Sequence, residues 1–145
     1  MARLNRMQTA VHPEPVLDRR QAVPALIEWP DDFLVVAGLA GTAQEITTIT
    51  KDSPSVFALG GAMGAAAAMA LGLALAQPKR RVLCISGDAE LLMNLGALAT
   101  IGLKNPPNLS MVCVDNGRFG ETGNQHSHTG LASRWTASPP APASR

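Results

Sequence analysis

The chain has no tyrosine, and aromatic residues fill only 3% of its 145 positions. Stacking platforms for nucleobases are therefore scarce. An excess of either charge is missing too: Lys+Arg 12 against Asp+Glu 11 gives a formal net charge of +1. That balance leaves no electrostatic footprint for nucleic acid or an anionic membrane, so neither is an expected partner. Cysteine is sparse. Cys84 and Cys113 each sit in an apolar run, with no CxxC and no Cys/His ligand spacing. Both read as buried small hydrophobes of a reduced, cytoplasmic protein. The opening segment MARLNRMQTAVHPEP is basic but has no apolar stretch, so no secretory signal is expected.

Charge is also absent from residues 53–78, a span long enough to cross a bilayer. Most of it is Ala and Gly, which supply little insertion energy. A tightly packed buried helix is the better expectation. Small residues are what the chain has in quantity, with 13 Gly and long Ala runs. They let backbones approach one another, or a ligand, closely. A length of 145 residues suits one domain that needs no staple.

Residues 1–14 read as a flexible lead-in, 15–130 as the folded domain, and 131–145 as an irregular, Pro-bearing tail. The tail from about Arg134 can also be encoded by GC-rich codons whose alternate frame spells an Ala-rich helix, which raises the expectation of a shifted frame. Within the domain, Val16, Ala22, Val23, Leu26 and Ile27 have helical spacing, interrupted by Pro24. Phe33–Ala37, Val82–Ser86 and Leu109–Val114 are continuous apolar runs, as in strands covered on both faces. Pro54–Leu59 is a weaker strand. Helices are expected over Thr42–Ile49, Ala62–Gln77 and Glu90–Gly102. Strands alternating with helices predict an α/β fold: a doubly wound, mostly parallel sheet with helices on both faces. In this sequence the fold is expected to lack its last elements.

Ligands of such sheets bind beyond the carboxyl ends of the strands. Two motifs fall there. Asp88, in Gly87-Asp88-Ala89, follows a buried strand and opens a helix, whose first amides at Ala89 and Glu90 are free for phosphate oxygens. Asn116, in Asp115-Asn116-Gly117, ends the next strand 28 residues later. One carboxylate, one neutral oxygen and a phosphate oxygen make the donor set Mg²⁺ prefers. Alone, each motif has an ordinary reading: an Asp cap at a helix start and an Asn-Gly turn. Likewise Met63 alone reads as a core filler, Glu121 as a loop charge or a site rim, and His126 with His128 as a metal pair lacking a third ligand.

Taken together, GDA, about 25 intervening residues, DN and then GRFGETGNQ resemble the diphosphate-binding motif of thiamine-diphosphate enzymes. The resemblance runs upstream through GGAMG and ALGLALAQPKRRVL and downstream through ETGNQHSHTG, over roughly residues 16–130. It is strongest to the cofactor-binding subunit of two-subunit 2-oxoacid decarboxylases, the sulfopyruvate and phosphonopyruvate decarboxylase group. The resemblance implies thiamine diphosphate and Mg²⁺ as cofactors and a small anionic 2-oxoacid as substrate. By position it implies that Asp88, the Asn116 side chain and the Arg118 carbonyl ligate the metal. Ala89 and Glu90 would offer amides to the diphosphate, beside Gly87 and Gly120, with a further contact at Gly41 and Thr42. Gly61 would accept a hydrogen bond from the pyrimidine amino group, and Met63 would hold the cofactor bent. His126 lies where the family's active-site loop begins, so substrate contact is implied there.

Two departures matter. Ala89 stands where many members have Gly, which still permits close phosphate approach. The glutamate that protonates the pyrimidine ring belongs, in the family, to a separate pyrimidine-binding domain, and none is found in this sequence. A pyrimidine-domain subunit is therefore the implied partner, and activity without it is not expected. The alternatives are an acetolactate-synthase-like carboligase subunit and a truncated, non-catalytic cofactor-binding domain. A nucleotide-binding module is disfavoured, because neither GxxxxGK[ST] nor GxGxxG follows a strand.

Overall fold

A computed structural model describes residues 17–27, 32–39, 41–51 and 53–131. Their elements alternate: α1 (Arg19–Leu26), β1 (Phe33–Ala37), α2 (Gly41–Thr50), β2 (Val56–Ala58), α3 (Ala66–Ala76), β3 (Arg81–Gly87), α4 (Asp88–Leu92), α5 (Gly96–Lys104) and β4 (Leu109–Val114). A two-stranded ribbon follows, β5 (Arg118–Phe119) and β6 (Gln125–His126), and then a 3-10 turn at Thr129–Leu131. Strands β2-β1-β3-β4 form one parallel sheet in that order. The α/β expectation holds. The lead-in and the tail from residue 132, with its frame expectation, lie outside the described residues.

Alternation along the central strands divides the core. Val35, Ala37, Leu83 and Ile85 pack with Val23 and Ile27 of the first helical segment and Ile46 of α2. Val36, Val82 and Cys84 point the other way, against Ala66, Ala70 and Ala74 of α3. Both faces of β1 and β3 are thus covered, which is why their sequences read as unbroken apolar runs. Alanine on α3 lets the helix lie close to the sheet and still pack Ala67 against Leu91 and Ala97. No helix among the described residues is long and apolar enough to cross a membrane.

Local chemistry explains the helix ends. Asp18 caps α1 by accepting from the Arg20 amide at 2.9 Å, so Pro24 is tolerated inside a short, capped helix. In α2 the hydroxyls of Thr47, Thr48 and Thr50 each bond the carbonyl four residues earlier, at 2.7–2.8 Å. Asn108 clamps the α3–β3 connection: its Nδ2 lies 3.1, 3.1 and 2.9 Å from the carbonyls of Ala74, Gln77 and Arg80.

Three expectations need correction. The buried helix begins at Ala66, not Ala62, because Gly64 turns the chain at φ +88°. Met63 is therefore on a loop. The helix expected over Glu90–Gly102 is broken into α4 and α5, where Asn94 leaves the helical pattern to donate 3.1 Å to the Gly64 carbonyl. Cys113 is exposed, because β4 has no strand on its outer side among the described residues; Cys84 is buried as expected.

Candidate active site: a cofactor cleft at the carboxyl end of the sheet

A cavity of about 290 Å³ opens beyond the ends of β1, β3 and β4. Leu39, Gly41 and Thr42 form one wall, Gly87, Asp88, Ala89 and Glu90 the floor, and Val114, Asn116, Arg118, Phe119 and Gly120 the opposite wall. Met63, Arg19, Glu121 and Thr122 complete the rim. Of the residues implied by resemblance, Gly41, Thr42, Met63, Gly87, Asp88, Ala89, Glu90, Asn116, Arg118 and Gly120 meet here. Gly61 and His126 do not line the cavity; Gly61 is exposed before α3, and His126 is exposed on β6, paired with Arg118 across the ribbon.

The ribbon carries what sequence reasoning missed. Asn124 and Gly123, at φ +63° and +130°, turn the chain back, and the Ser127 amide donates 2.8 Å to the Gly117 carbonyl. Ser127 and Thr129 are thereby buried against Asp88, itself only 2% exposed. Asp88 Oδ2 accepts from Ser127 Oγ at 2.5 Å and from Thr129 Oγ1 at 2.8 Å. Thr129 Oγ1 lies equally close, 2.8 Å, to Asp115 Oδ1 and to Ser127 Oγ. A buried carboxylate needs such donors. The only signal in the sequence was Ser and Thr alternating with His after a Gly-Asn turn.

Asn116 Oδ1 accepts from the Arg118 amide at 2.9 Å, which fixes the carboxamide at the cavity wall and leaves that oxygen a second lone pair. Glu90 is 4% exposed and ties two walls together: its Oε2 accepts from Ser86 Oγ at 2.9 Å and from the Leu39 amide at 3.1 Å. Its Oε1 is buried without a partner. Arg19, also unforeseen, lies over Gly41, where only the absence of a side chain admits its guanidinium. Glu45 Oε1 holds Arg19 Nε at 3.0 Å.

The donor set suits a hard cation of low protein charge. Among the described residues Asp88 Oδ1 has no donor, Asn116 offers a neutral oxygen, and no three His, Cys, Asp or Glu side chains cluster as a metal cage would. Mg²⁺ fits such a set; zinc does not. The free amides at the start of α4 face the same space and suit phosphate oxygens.

Residues 37–143 match the thiamine pyrophosphate enzyme family, C-terminal TPP-binding domain. The chain belongs to that family. Among curated relatives, sulfopyruvate decarboxylase subunit beta of Methanothermobacter thermautotrophicus is 40% identical over 110 residues, 76% of this chain and 58% of the relative. Phosphonopyruvate decarboxylase of Streptomyces viridochromogenes is 41% identical over 102 residues, 70% of this chain and 25% of the relative. The 2-oxoglutarate synthase subunit KorB of Methanocaldococcus jannaschii is more distant, 28% identical over 75% of this chain and 38% of its own. The chain thus spans about three-fifths or less of these relatives, and its TPP-binding domain carries the Gly87-Asp88-Ala89 and Asp115-Asn116 motifs inside the matched region.

Proposed function

We propose that this TPP-binding domain is the cofactor-binding part of a 2-oxoacid decarboxylase that uses Mg²⁺ and works with a pyrimidine-binding partner subunit. The observation that carries the reading is the Asp88 carboxylate. It is buried at a helix start, met by two hydroxyls on one oxygen and by no donor of the described residues on the other, in a cavity that also holds Asn116. A metal bound there would be held by Asp88 and Asn116, with the Arg118 carbonyl as a third protein ligand. The diphosphate would meet the amides of Ala89 and Glu90. Arg19 supports the same reading from the opposite wall, since a guanidinium at Gly41 offsets anionic charge. Met63, on its loop at the rim, is available to pack against the cofactor's rings.

Thiamine diphosphate, when bound, supplies a carbanion-stabilising centre for loss of CO₂ from a 2-oxoacid. The protein's part is binding, orientation and charge. Glu90 holds the β1–α2 loop to the end of β3, which keeps the diphosphate wall closed. The names of the relatives favour a small 2-oxoacid bearing a second anionic group, sulfonate or phosphonate. A reduced cytoplasmic setting is part of the proposal.

Thermal unfolding and calorimetric titration test it. Mg²⁺ with thiamine diphosphate should raise the unfolding midpoint, because a ligand of the native state stabilises it by mass action. ATP with Mg²⁺ should not. Asp88→Ala should remove the effect, since the diphosphate would lose its metal; Asn116→Ala should weaken it less. Binding unchanged in Asp88→Ala, or a larger shift with nucleotide, refutes the assignment.

A further inference from the structure

Asp88 presents two chemically unequal oxygens. Oδ2 takes hydroxyl contacts from Ser127 at 2.5 Å and Thr129 at 2.8 Å, both side chains fully buried. Oδ1 takes none from the described residues. Asp88 lines the cavity, and Oδ1 is the carboxylate oxygen that the described hydroxyls leave for a cation there. The hydroxyls are themselves fixed. Thr129 Oγ1 lies 2.8 Å from both Asp88 Oδ2 and Asp115 Oδ1, so its one hydrogen is shared between two carboxylates, and Gly130, directly after it, has no room for a Cβ beside the Gly117 carbonyl.

We propose that Ser127 and Thr129 are positioning residues that set how Asp88 binds a cation: they engage Oδ2 so that only Oδ1 reaches the metal, and this one-oxygen ligation selects a small octahedral cation over a large one. The inference rests on the reading of Asp88 as a metal ligand. Its physical basis is the shape of a carboxylate. Binding through both oxygens makes a narrow bite, which suits Ca²⁺ with its long bonds and high coordination number; Mg²⁺ demands near-ideal octahedral angles and takes carboxylates through one oxygen. A hydroxyl pair on Oδ2 removes the second option without adding charge, and it holds the carboxylate plane against rotation.

The test measures thiamine diphosphate affinity of the full chain by calorimetry, once with Mg²⁺ and once with Ca²⁺. Each protein then yields a Mg²⁺/Ca²⁺ ratio, which a partial loss of folded protein does not move. The native chain should favour Mg²⁺. Ser127→Ala and Thr129→Val should each lower Mg²⁺-supported affinity by about 10- to 100-fold, the range for lost outer partners of a ligand. Ca²⁺-supported affinity should fall less, so the ratio drops, while Thr129→Ser, which keeps the hydroxyl, should retain it. Should Thr129→Val fail to fold, Ser127→Ala alone decides. A ratio unchanged in the folded variants, or no Mg²⁺ preference in the native chain, overturns the inference and leaves the metal site standing. No metal-supported binding by the native chain, or native binding in Asp88→Ala, instead refutes the site reading, and the inference falls with it.

Discussion

A single missing methyl decides how close the walls of the cavity can stand. A Cβ on Gly38 would lie within contact-forbidding distance of the Glu90 carboxylate, 1.8 Å from Oε2 and 2.7 Å from Cδ. Glu90 cannot swing aside freely, because Ser86 and the Leu39 amide hold it. Gly38→Ala should therefore destabilise the fold by about 2 kcal/mol, the usual cost of overpacking, and weaken cofactor binding. Chemical denaturation measures the first effect and calorimetry the second. The thiols give a second prediction at this scale. Burial pushes the Cys84 thiol from 9.0 up to about 12, with Glu90 and then Cys113 adding to the rise. Loss of water around its sulfur, then Asp115 and Asp88, push Cys113 up to about 11, although the residue is exposed. Between pH 9 and 12 the unfolded chain releases a Cys84 proton that the native chain keeps, so stability falls as pH rises through that window and is unaffected below it. Cys84→Ala should flatten that slope in denaturation measured across the window. At neutral pH both thiols are protonated, and Cys113 should react with iodoacetamide more slowly than a free cysteine despite its exposure.

At the scale of elements, Asn108, just before β4, ties itself to the α3–β3 connection with one amide group. Its Nδ2 has only two hydrogens, yet three carbonyls of the α3–β3 connection lie within 3.1 Å. Asn108→Asp keeps the shape and reverses the chemistry, setting a carboxylate oxygen against those carbonyls. A loss of about 2–3 kcal/mol is expected, with the C-terminal turn of α3 exchanging its amide hydrogens faster. Hydrogen exchange that leaves residues 72–81 unchanged would contradict it. The strands β1, β3 and β4 were legible in sequence because both their faces or one face and an end are apolar, so burial appears directly as an unbroken run. The cavity floor was legible for a related reason: Asp88 and Asn116 follow those runs immediately. The β5–β6 ribbon was not. Its two-residue strands carry no period, and its fold-back depends on positive φ at Asn124 and Gly123, which many turns share. Ser127 and Thr129 were invisible as partners of Asp88 because the contact spans 39 and 41 residues and leaves no local spacing. The α4–α5 break escaped because apolar periodicity runs straight through Met93–Leu95, while the Asn94–Gly64 bond that diverts the chain is tertiary.

At the scale of the whole molecule, the proposed reading assigns the cavity's charges to the diphosphate and metal end of the cofactor and none of the described glutamates to its ring end. The resemblance implies that the pyrimidine ring is polarised by a carboxylic acid against its ring nitrogen. Glu45 is engaged with Arg19 on α2, Glu90 is buried beneath Gly38, and Glu121 stands with Phe119 and Gly120 on the ribbon wall. None of these three lies on the Met63–Gly64 loop, where the ring end would emerge. That loop is bordered by apolar surface instead. Met93, whose Cβ is 3.1 Å from the place of a Gly64 side chain, is 61% exposed, and Leu95 is 46% exposed. Exposed methionine and leucine beside that loop fit a surface that a second chain covers. Purified chain with Mg²⁺ and thiamine diphosphate is therefore expected to release no CO₂ from sulfopyruvate or phosphonopyruvate, and to do so when a pyrimidine-domain subunit is added. Met93→Glu should block that gain while leaving Mg²⁺-dependent cofactor binding to the isolated chain within about 2-fold, since it adds charge to the covered surface and none to the metal site. CO₂ release by the isolated chain, above a protein-free control and abolished in Asp88→Ala, would mean that the acid is supplied from within this chain.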